Sequence, residues 1–342
     1  MQIPTPGRYT LENLRKVVRE PSKLRNEVER LRRRAEKELF HRKFGYGTNP
    51  LREDWDNLIV LDACRYDVFE EVNRIRGDVE YVVSNGSHSK EFYEENVSGE
   101  TRHDTVYVTA NPYGAVMCSG VFFKMATTFS GEKEQDSRGR ISETTTADGR
   151  TLNFNHVENI APAELARKAL DSHERYPDKR LFVHFMQPHA PYIGERAASL
   201  RQSLEREEGL TFTAWTDLDE LDRDRAIGSL ENAAKEGYIS ADELRSVYVE
   251  NLEIVLSHVE ELVSELGGKT VVTADHGELL GEERAGHRFG HPEGLFVREL
   301  RVVPWLTVTS GERRDVVEER PVRSDDVTES ETNDQLELLG YR

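Results

Sequence analysis

The 342-residue chain sets 46 Lys+Arg against 64 Asp+Glu, a formal net charge of −18. Its 37% hydrophobic residues can bury a large core, which excludes a disordered or fibrous chain. The acidic balance argues against nucleic acid as a partner, and no apolar run approaches the ~20 residues that cross a bilayer.

The N-terminus, MQIPTPGRYT, has no apolar stretch followed by a small-residue cleavage site, so a cytoplasmic location is expected. Residues 1–50 carry 13 basic and 6 acidic side chains and form a separate basic segment, leaving the remainder strongly acidic. From Pro21 to about Arg42, the spacing of Leu24, Val28, Leu31, Ala35 and Leu39 predicts an amphipathic helix with Arg30, Arg32, Arg33 and Arg34 on or near its outer faces. Such a helix either packs on the main domain or makes peripheral contact with an anionic membrane or a phosphate-bearing substrate. The acidic remainder is poor in lysine, with 11 Lys against 35 Arg in the whole chain. This suits a halophilic cytoplasm at molar salt, where the Debye length is about 3 Å and like charges no longer repel at a distance.

Residues 51–310 alternate strand-like and helix-like stretches, which predicts an α/β fold with a central, mostly parallel sheet sandwiched between helices. Asn57 to Leu61 is a short, continuously apolar run of the kind buried on both faces, and it ends at Asp62. Further strands are expected at 79–83, 105–109, 180–186, 269–273 and 301–309, with helices at 90–96, 162–173 and 246–266. Residues 130–155 read as a long surface loop, and 196–242 as polar loop with local helices. Residues 311–342 form an acidic tail, extended at first and closing in a short helix over 334–341.

Polar groups at the carboxyl ends of buried parallel strands line the crevice where such folds bind ligands. Three strands here run into such groups: Asp62 with Arg65 and Asp67, then Gln187-Pro188-His189-Ala190-Pro191-Tyr192, and then Asp275-His276-Gly277-Glu278. Carboxylate and imidazole converging from separate strands are what a divalent cation requires. The loop Gly286 to Gly294 adds His287 and His291, at least one of which is expected at the site. Only two cysteines occur, Cys64 and Cys118, which rules out a disulfide framework or a Cys-rich zinc site.

The segments NLIVLDACRYD, VVSNGSHSKEFYEENV, VHFMQPHAPY, VVTADHGELLGE and FGHPEG followed by LRVVPWLTV occur in an order that resembles the alkaline phosphatase superfamily, and within it sulfatase-like proteins. The resemblance runs from about Asp54 to Val308. It implies that Asp62, Asp275 and His276 hold one divalent cation (Mn²⁺, Zn²⁺, Mg²⁺ or Ca²⁺), with a nucleophilic hydroxyl as the fourth ligand at a helix start. Ser89 directly precedes the helical Lys90-Glu91-Phe92-Tyr93 and is the expected nucleophile, with Ser87 as the alternative. A structural role for Ser89 would be to cap that helix. The resemblance also makes His189 and His291 the substrate histidines, with His287 competing for the second place. Arg65 either binds an anionic oxygen or pairs with Asp67.

The sequence departs from true sulfatases, because Cys64-Arg65-Tyr66-Asp67 does not fit their Cys-x-Pro-x-Arg. It also lacks the Asp and His four residues apart by which two-metal members hold a second cation. The expectation is therefore a metal-dependent hydrolase or transferase of phosphate or sulfate esters, whose substrates are small molecules or linked to glycan or lipid. The alternative is a catalytically silent metal- and anion-binding protein that docks on a glycan-assembly complex or membrane.

Overall fold

The computed structural model describes residues 21–128, 131–135, 141–146, 151–153, 161–212 and 226–322. It divides into two compact units, Met1–Tyr46 and Gly47–Arg342. In the first, the described part is helix α1 (Pro21–Phe44) and the two residues after it. The helix is laced along its length by i,i+4 ion pairs of Arg33 with Glu29, Arg32 with Glu36 and Arg42 with Glu38. Each such pair supports a helix by about 0.3–0.5 kcal/mol. Val28, Leu31 and Leu39 of the apolar stripe are exposed.

In the second unit the elements follow in chain order. Strand β1 (Asn57–Asp62) leads to α2 (Tyr66–Val72), β2 (Asp78–Val83), α3 (Ser89–Asn96), β3 (Arg102–Thr109), α4 (Pro112–Met117) and β4 (Phe122–Thr127). A small antiparallel sheet follows: β5 (Gly131–Gln135), β6 (Ile141–Thr146) and β7 (Thr151–Asn153). This corrects the loop expected over 130–155, where the β-branched Thr run of β6 outweighs the polar composition. Next come α5 (Pro162–Arg175), β8 (Arg180–Pro188), α6 (Glu195–Glu207), β9 (Thr211–Phe212), β10 (Ala226–Ile227), α7 (Leu230–Lys235) and α8 (Ala241–Glu265). Helix α8 begins five residues before the predicted start because Ser240 and Glu243 form a reciprocal capping box. The unit ends with β11 (Gly268–Ala274), β12 (Leu279–Leu280), β13 (Phe289–Gly290), α9 (Arg298–Arg301) and β14 (Val302–Ser310).

Seven strands form one sheet in the order β2-β14-β11-β1-β8-β3-β4. Strand β14 runs antiparallel to both its neighbours, β2 and β11, and the other pairings are parallel, so the sheet is mixed and mostly parallel. Strand side chains alternate between faces. Ile59, Leu61, Val183, Phe185 and Val272 pack against Leu244, Val247, Val255 and Val259 of α8. Leu58, Val60, Phe182 and Val271 pack on the other side, with Phe92 and Tyr93 of α3. The same two-residue step puts His184, two after Phe182, and Asp275, four after Val271, on the α3 side.

Beyond β14, residues 311–322 cross the amino ends of the strands, opposite the edge where Asp62 and Asp275 lie. Val317 N–H donates to Asp178 O (3.0 Å), Glu319 N–H to His103 O (3.2 Å) and Val322 N–H to Phe123 O (2.9 Å). Arg313 pairs with Asp54 and Asp56, and Arg314 donates to the carbonyls of Asp56 and Lys179. The terminal helix expected over 334–341 lies outside the described residues. No helix among the described residues is long and apolar enough to cross a membrane.

Candidate metal centre and active site

Strands β1 and β11 are neighbours, so Asp62 and Asp275 leave the sheet side by side, both fully buried. Helix α3 is aimed at them by its N-terminus. Ser89 is its first residue, and His88 occupies the N-cap position without a side-chain cap bond. The Ser89 hydroxyl is therefore spent on the acids and not on capping: Oγ lies 2.8 Å from Asp275 Oδ2, 3.2 Å from Asp62 Oδ2 and 3.3 Å from His276 Nε2. His276 Nε2 is 3.5 Å from both Asp62 Oδ1 and Asp275 Oδ2. The four side chains singled out as a metal centre thus meet around one point.

Asp275 is fixed from behind. Its Oδ1 accepts the backbone N–H groups of His276 (2.8 Å) and Ala63 (3.1 Å), which leaves Oδ2 facing Ser89. To donate, Ala63 adopts a left-handed φ of 59°, a conformation that costs a non-glycine residue about 1–2 kcal/mol. The Tyr248 hydroxyl holds the turn, donating to Ala63 O (2.7 Å) while accepting from the Arg65 N–H (3.0 Å). Gly277 lets the chain turn away, since a Cβ there would lie 2.0 Å from the Glu299 carbonyl oxygen.

Charge in this pocket is expensive. Burial, reinforced by Asp275, pushes the Asp62 carboxyl well above the usual range, and burial pushes His276 well below its own. Asp62 Oδ1 is buried without a hydrogen-bond partner among the described residues. His276 Nδ1–H donates to Gly277 O (2.8 Å), which turns the lone pair of Nε2 into the cluster. Four tetrahedral donors at about 2.1 Å from a cation stand about 3.4 Å apart; here Ser89 Oγ, Asp275 Oδ2 and His276 Nε2 are 2.8–3.5 Å from one another, and Asp62 Oδ1 is 3.5 Å from His276 Nε2. The orphaned oxygen, the lone pair and the spacing all fit a divalent cation.

Ser87, the alternative nucleophile, is committed elsewhere. Its Oγ donates to Glu91 Oε2 (2.8 Å) and accepts from Gly294 N–H (2.9 Å). Arg65 is likewise committed: it forks onto Asp67 (3.0 and 2.7 Å) and reaches Glu282, so pairing accounts for it.

His189 and His291 stand beside the cluster, with rings 5.0 Å apart, and the His291 ring is 4.8 Å from that of His276. His287 is exposed on its loop. His189 Nδ1–H donates to Ala190 O, and burial holds the ring's pKa well below 6.5. Burial also works against a charge on His291, but Glu278, 3.3 Å from its Nδ1, outweighs this and raises its pKa. His189, Glu278 and His291 form a second group of donors whose ligand atoms lie within 4.8 Å of one another.

Four further side chains support the site, of which Asn111 and Arg301 carry no signal in the local sequence pattern. Asn111 Nδ2–H donates to Asp62 Oδ2 (2.6 Å) and Ser89 Oγ (3.2 Å) while its Oδ1 caps α4. Arg301 grips Glu91 with two bonds (2.8 and 2.9 Å) and Asn85 O with a third (2.6 Å). Glu278 orients His291, and His184 stands behind Asp275.

No family model and no curated protein matches the chain. Among solved structures it is similar to the integral membrane lipooligosaccharide phosphoethanolamine transferase A of Neisseria meningitidis (13% identity, TM-score 0.42, 74% of this chain and 47% of that one). It is also similar to the C-terminal periplasmic domain of a phosphoethanolamine transferase from Campylobacter jejuni (13%, 0.41, 74% and 78%). A third is the phosphonate monoester hydrolase of Agrobacterium radiobacter (13%, 0.38, 73% and 67%). The chain spans about half the length of the first of these. These are distant likenesses, and the chemistry of the site rests on its own side chains.

Proposed function

We propose that the chain is a sulfatase-like enzyme of the alkaline phosphatase superfamily that splits or transfers a phosphate or sulfate ester, using Ser89 as nucleophile and one divalent cation held by Asp62, Ser89, Asp275 and His276. One observation carries this reading: a fully buried serine hydroxyl at the start of a helix lies within 3.3 Å of two buried carboxylates and an imidazole. A packing role does not account for two acids facing each other in a fully buried pocket, because both can be ionised there only if a cation offsets them.

A cation held by these donors supplies Lewis-acid polarisation of the ester and eases deprotonation of the bound hydroxyl. Ser89 Oγ forms the new bond to phosphorus or sulfur as the bond to the leaving alcohol breaks. His291, whose pKa Glu278 raises, is placed to give a proton to the departing oxygen. The α3 N-terminus favours the negative charge of the transferred group. His189 has its Nδ1 proton committed to Ala190 O, so Nε2 can only accept, which suits it to take the proton of the water or acceptor alcohol that resolves the seryl ester. Serine, and not a modified cysteine, inclines the reading towards phosphate esters.

A second reading, with two cations, is favoured by the clustering of His189, Glu278 and His291. Counting bound metal per chain separates the two: one equivalent supports the single-cation reading and two support its rival. The overall proposal is tested by assaying aryl phosphate, aryl phosphodiester and aryl sulfate with Mn²⁺, Mg²⁺, Ca²⁺ and Zn²⁺, at low and molar salt. Turnover of at least one ester, lost in Ser89→Ala, is the expected result. Metal and anion binding without turnover of any ester would favour the silent binding protein.

A further inference from the structure

Behind the acid cluster lies a polar chain that the reaction above does not use. His184 of β8 is fully buried, and its Nε2, 3.7 Å from Asp275 Oδ2, has no hydrogen-bond partner among the described residues. Its Nδ1 lies 2.6 Å from the Tyr93 hydroxyl, which lies 2.7 Å from that of Tyr107. Both phenols are fully buried and backed by Gly114, where a Cβ would fall 2.1 Å from the Tyr107 oxygen and 2.5 Å from that of Tyr93.

The direction of this chain follows from electrostatics. If His184 donated through Nδ1 to Tyr93, Nε2 would turn a lone pair towards the Asp275 carboxylate with both groups fully buried, which is repulsive. If Tyr107 donates to Tyr93 and Tyr93 to Nδ1, the imidazole proton sits on Nε2 and faces Asp275 with the attractive sign. Either arrangement gives the Tyr93 hydroxyl one donor and one acceptor, so the charge of Asp275 decides between them. At 3.7 Å the contact is longer than a hydrogen bond, so its effect is that of an N–H dipole on a neighbouring charge.

We infer that His184 is a positioning residue for the metal centre: its Nε2–H, set by the Tyr107–Tyr93 chain, orients Asp275 Oδ2 and stabilises it as a charged cation ligand. The inference rests on the reading of Asp62, Ser89, Asp275 and His276 as a cation site. It adds that the tautomer of a histidine that does not itself ligate controls how tightly the site binds.

The test is the affinity of the full chain for Mn²⁺ alone, measured by titration calorimetry with no substrate present. His184→Leu should bind Mn²⁺ about 10–100-fold more weakly, the range typical for loss of a group that orients a ligand. His184→Gln, whose amide N–H replaces Nε2–H, should stay within about threefold of the unsubstituted chain by the same logic. A purely structural role would not produce this rescue. Tyr93→Phe keeps the ring but frees Nδ1 to carry the proton, and should weaken binding in the same direction as His184→Leu. If His184→Leu does not fold, Tyr93→Phe decides: unchanged affinity overturns the inference. Equal affinities of the Leu and Gln variants overturn it as well. Should the unsubstituted chain fail to bind Mn²⁺, or bind it equally well after Asp62→Asn, the cation-site reading itself fails and this inference with it.

Discussion

Arg301 clamps the turn that leads into Ser89, and replacing it gives the sharpest structural prediction. Its side chain is 2% exposed, and it donates to both oxygens of Glu91 (2.8 and 2.9 Å), to Asn85 O (2.6 Å) and to Leu295 O (2.7 Å), with the guanidinium 4.1 Å from the centre of the Phe296 ring. Glu91 in turn accepts the N–H and O–H of Ser87, two residues before Ser89. Arg301→Met keeps much of the apolar stem and removes every one of these bonds. Breaking one side of a buried ion pair costs ~3–5 kcal/mol, whereas an exposed pair is worth at most ~1 kcal/mol. The carboxylate of Glu91 is 23% exposed, so water relieves part of the loss. We expect about 3 kcal/mol in urea unfolding, and a coupling of about 1–3 kcal/mol with Glu91→Gln in a double-mutant cycle. Turnover should fall about 100-fold from displacement of Ser89, the scale of a 1 Å misplacement at a reacting centre. A loss of stability below about 1 kcal/mol, with coupling near zero, would refute the clamp.

Ser89→Ala should abolish turnover while the protein still binds the cation through its remaining ligands; undiminished activity removes Ser89 from the role. Gly277→Ala drives a Cβ to 2.0 Å from the Glu299 carbonyl, so unfolding should become easier by at least ~1–3 kcal/mol, and a neutral result would show that this turn has room. Asp54 is drawn down from 3.8 to about 2, chiefly by its hydrogen bond to Arg313. A pKa depressed in the folded state means stability present above the unfolded value and lost as pH falls through the folded one. Asp54→Asn should therefore unfold more easily than the unsubstituted chain at pH 7, with the gap closing between pH 3.8 and about 2; a gap independent of pH would contradict the pairing.

The sequence carries the sheet and much of the site because both depend on short-range pattern. Asn57 to Leu61 is apolar at every position, as a strand covered on both faces must be, and Asp62 and Asp275 end neighbouring strands of that kind. The choice between Ser87 and Ser89 was open because both precede the same helix. What separates them is Glu91, which takes up Ser87, and Arg301, 210 residues away from Glu91, which fixes Glu91. Arg301 showed no local signal for that reason. Asn111 was hidden as an ordinary helix cap, which it also is. His184 was more legible: a histidine inside an apolar strand, two residues from Phe182, has to find a polar partner on the α3 side. The Ser240 to Glu243 capping box was written in the sequence and would have moved the start of α8 to its true place.

The central claim is that one cation sits among Asp62, Ser89, Asp275 and His276. Anomalous diffraction from crystals grown with Mn²⁺ locates it directly. The account predicts the strongest anomalous peak within ligand distance, about 2.2 Å, of Asp62, Asp275 and His276 and adjacent to Ser89 Oγ. A saturating Mn²⁺ peak elsewhere, with these four side chains bound only to one another, would contradict it.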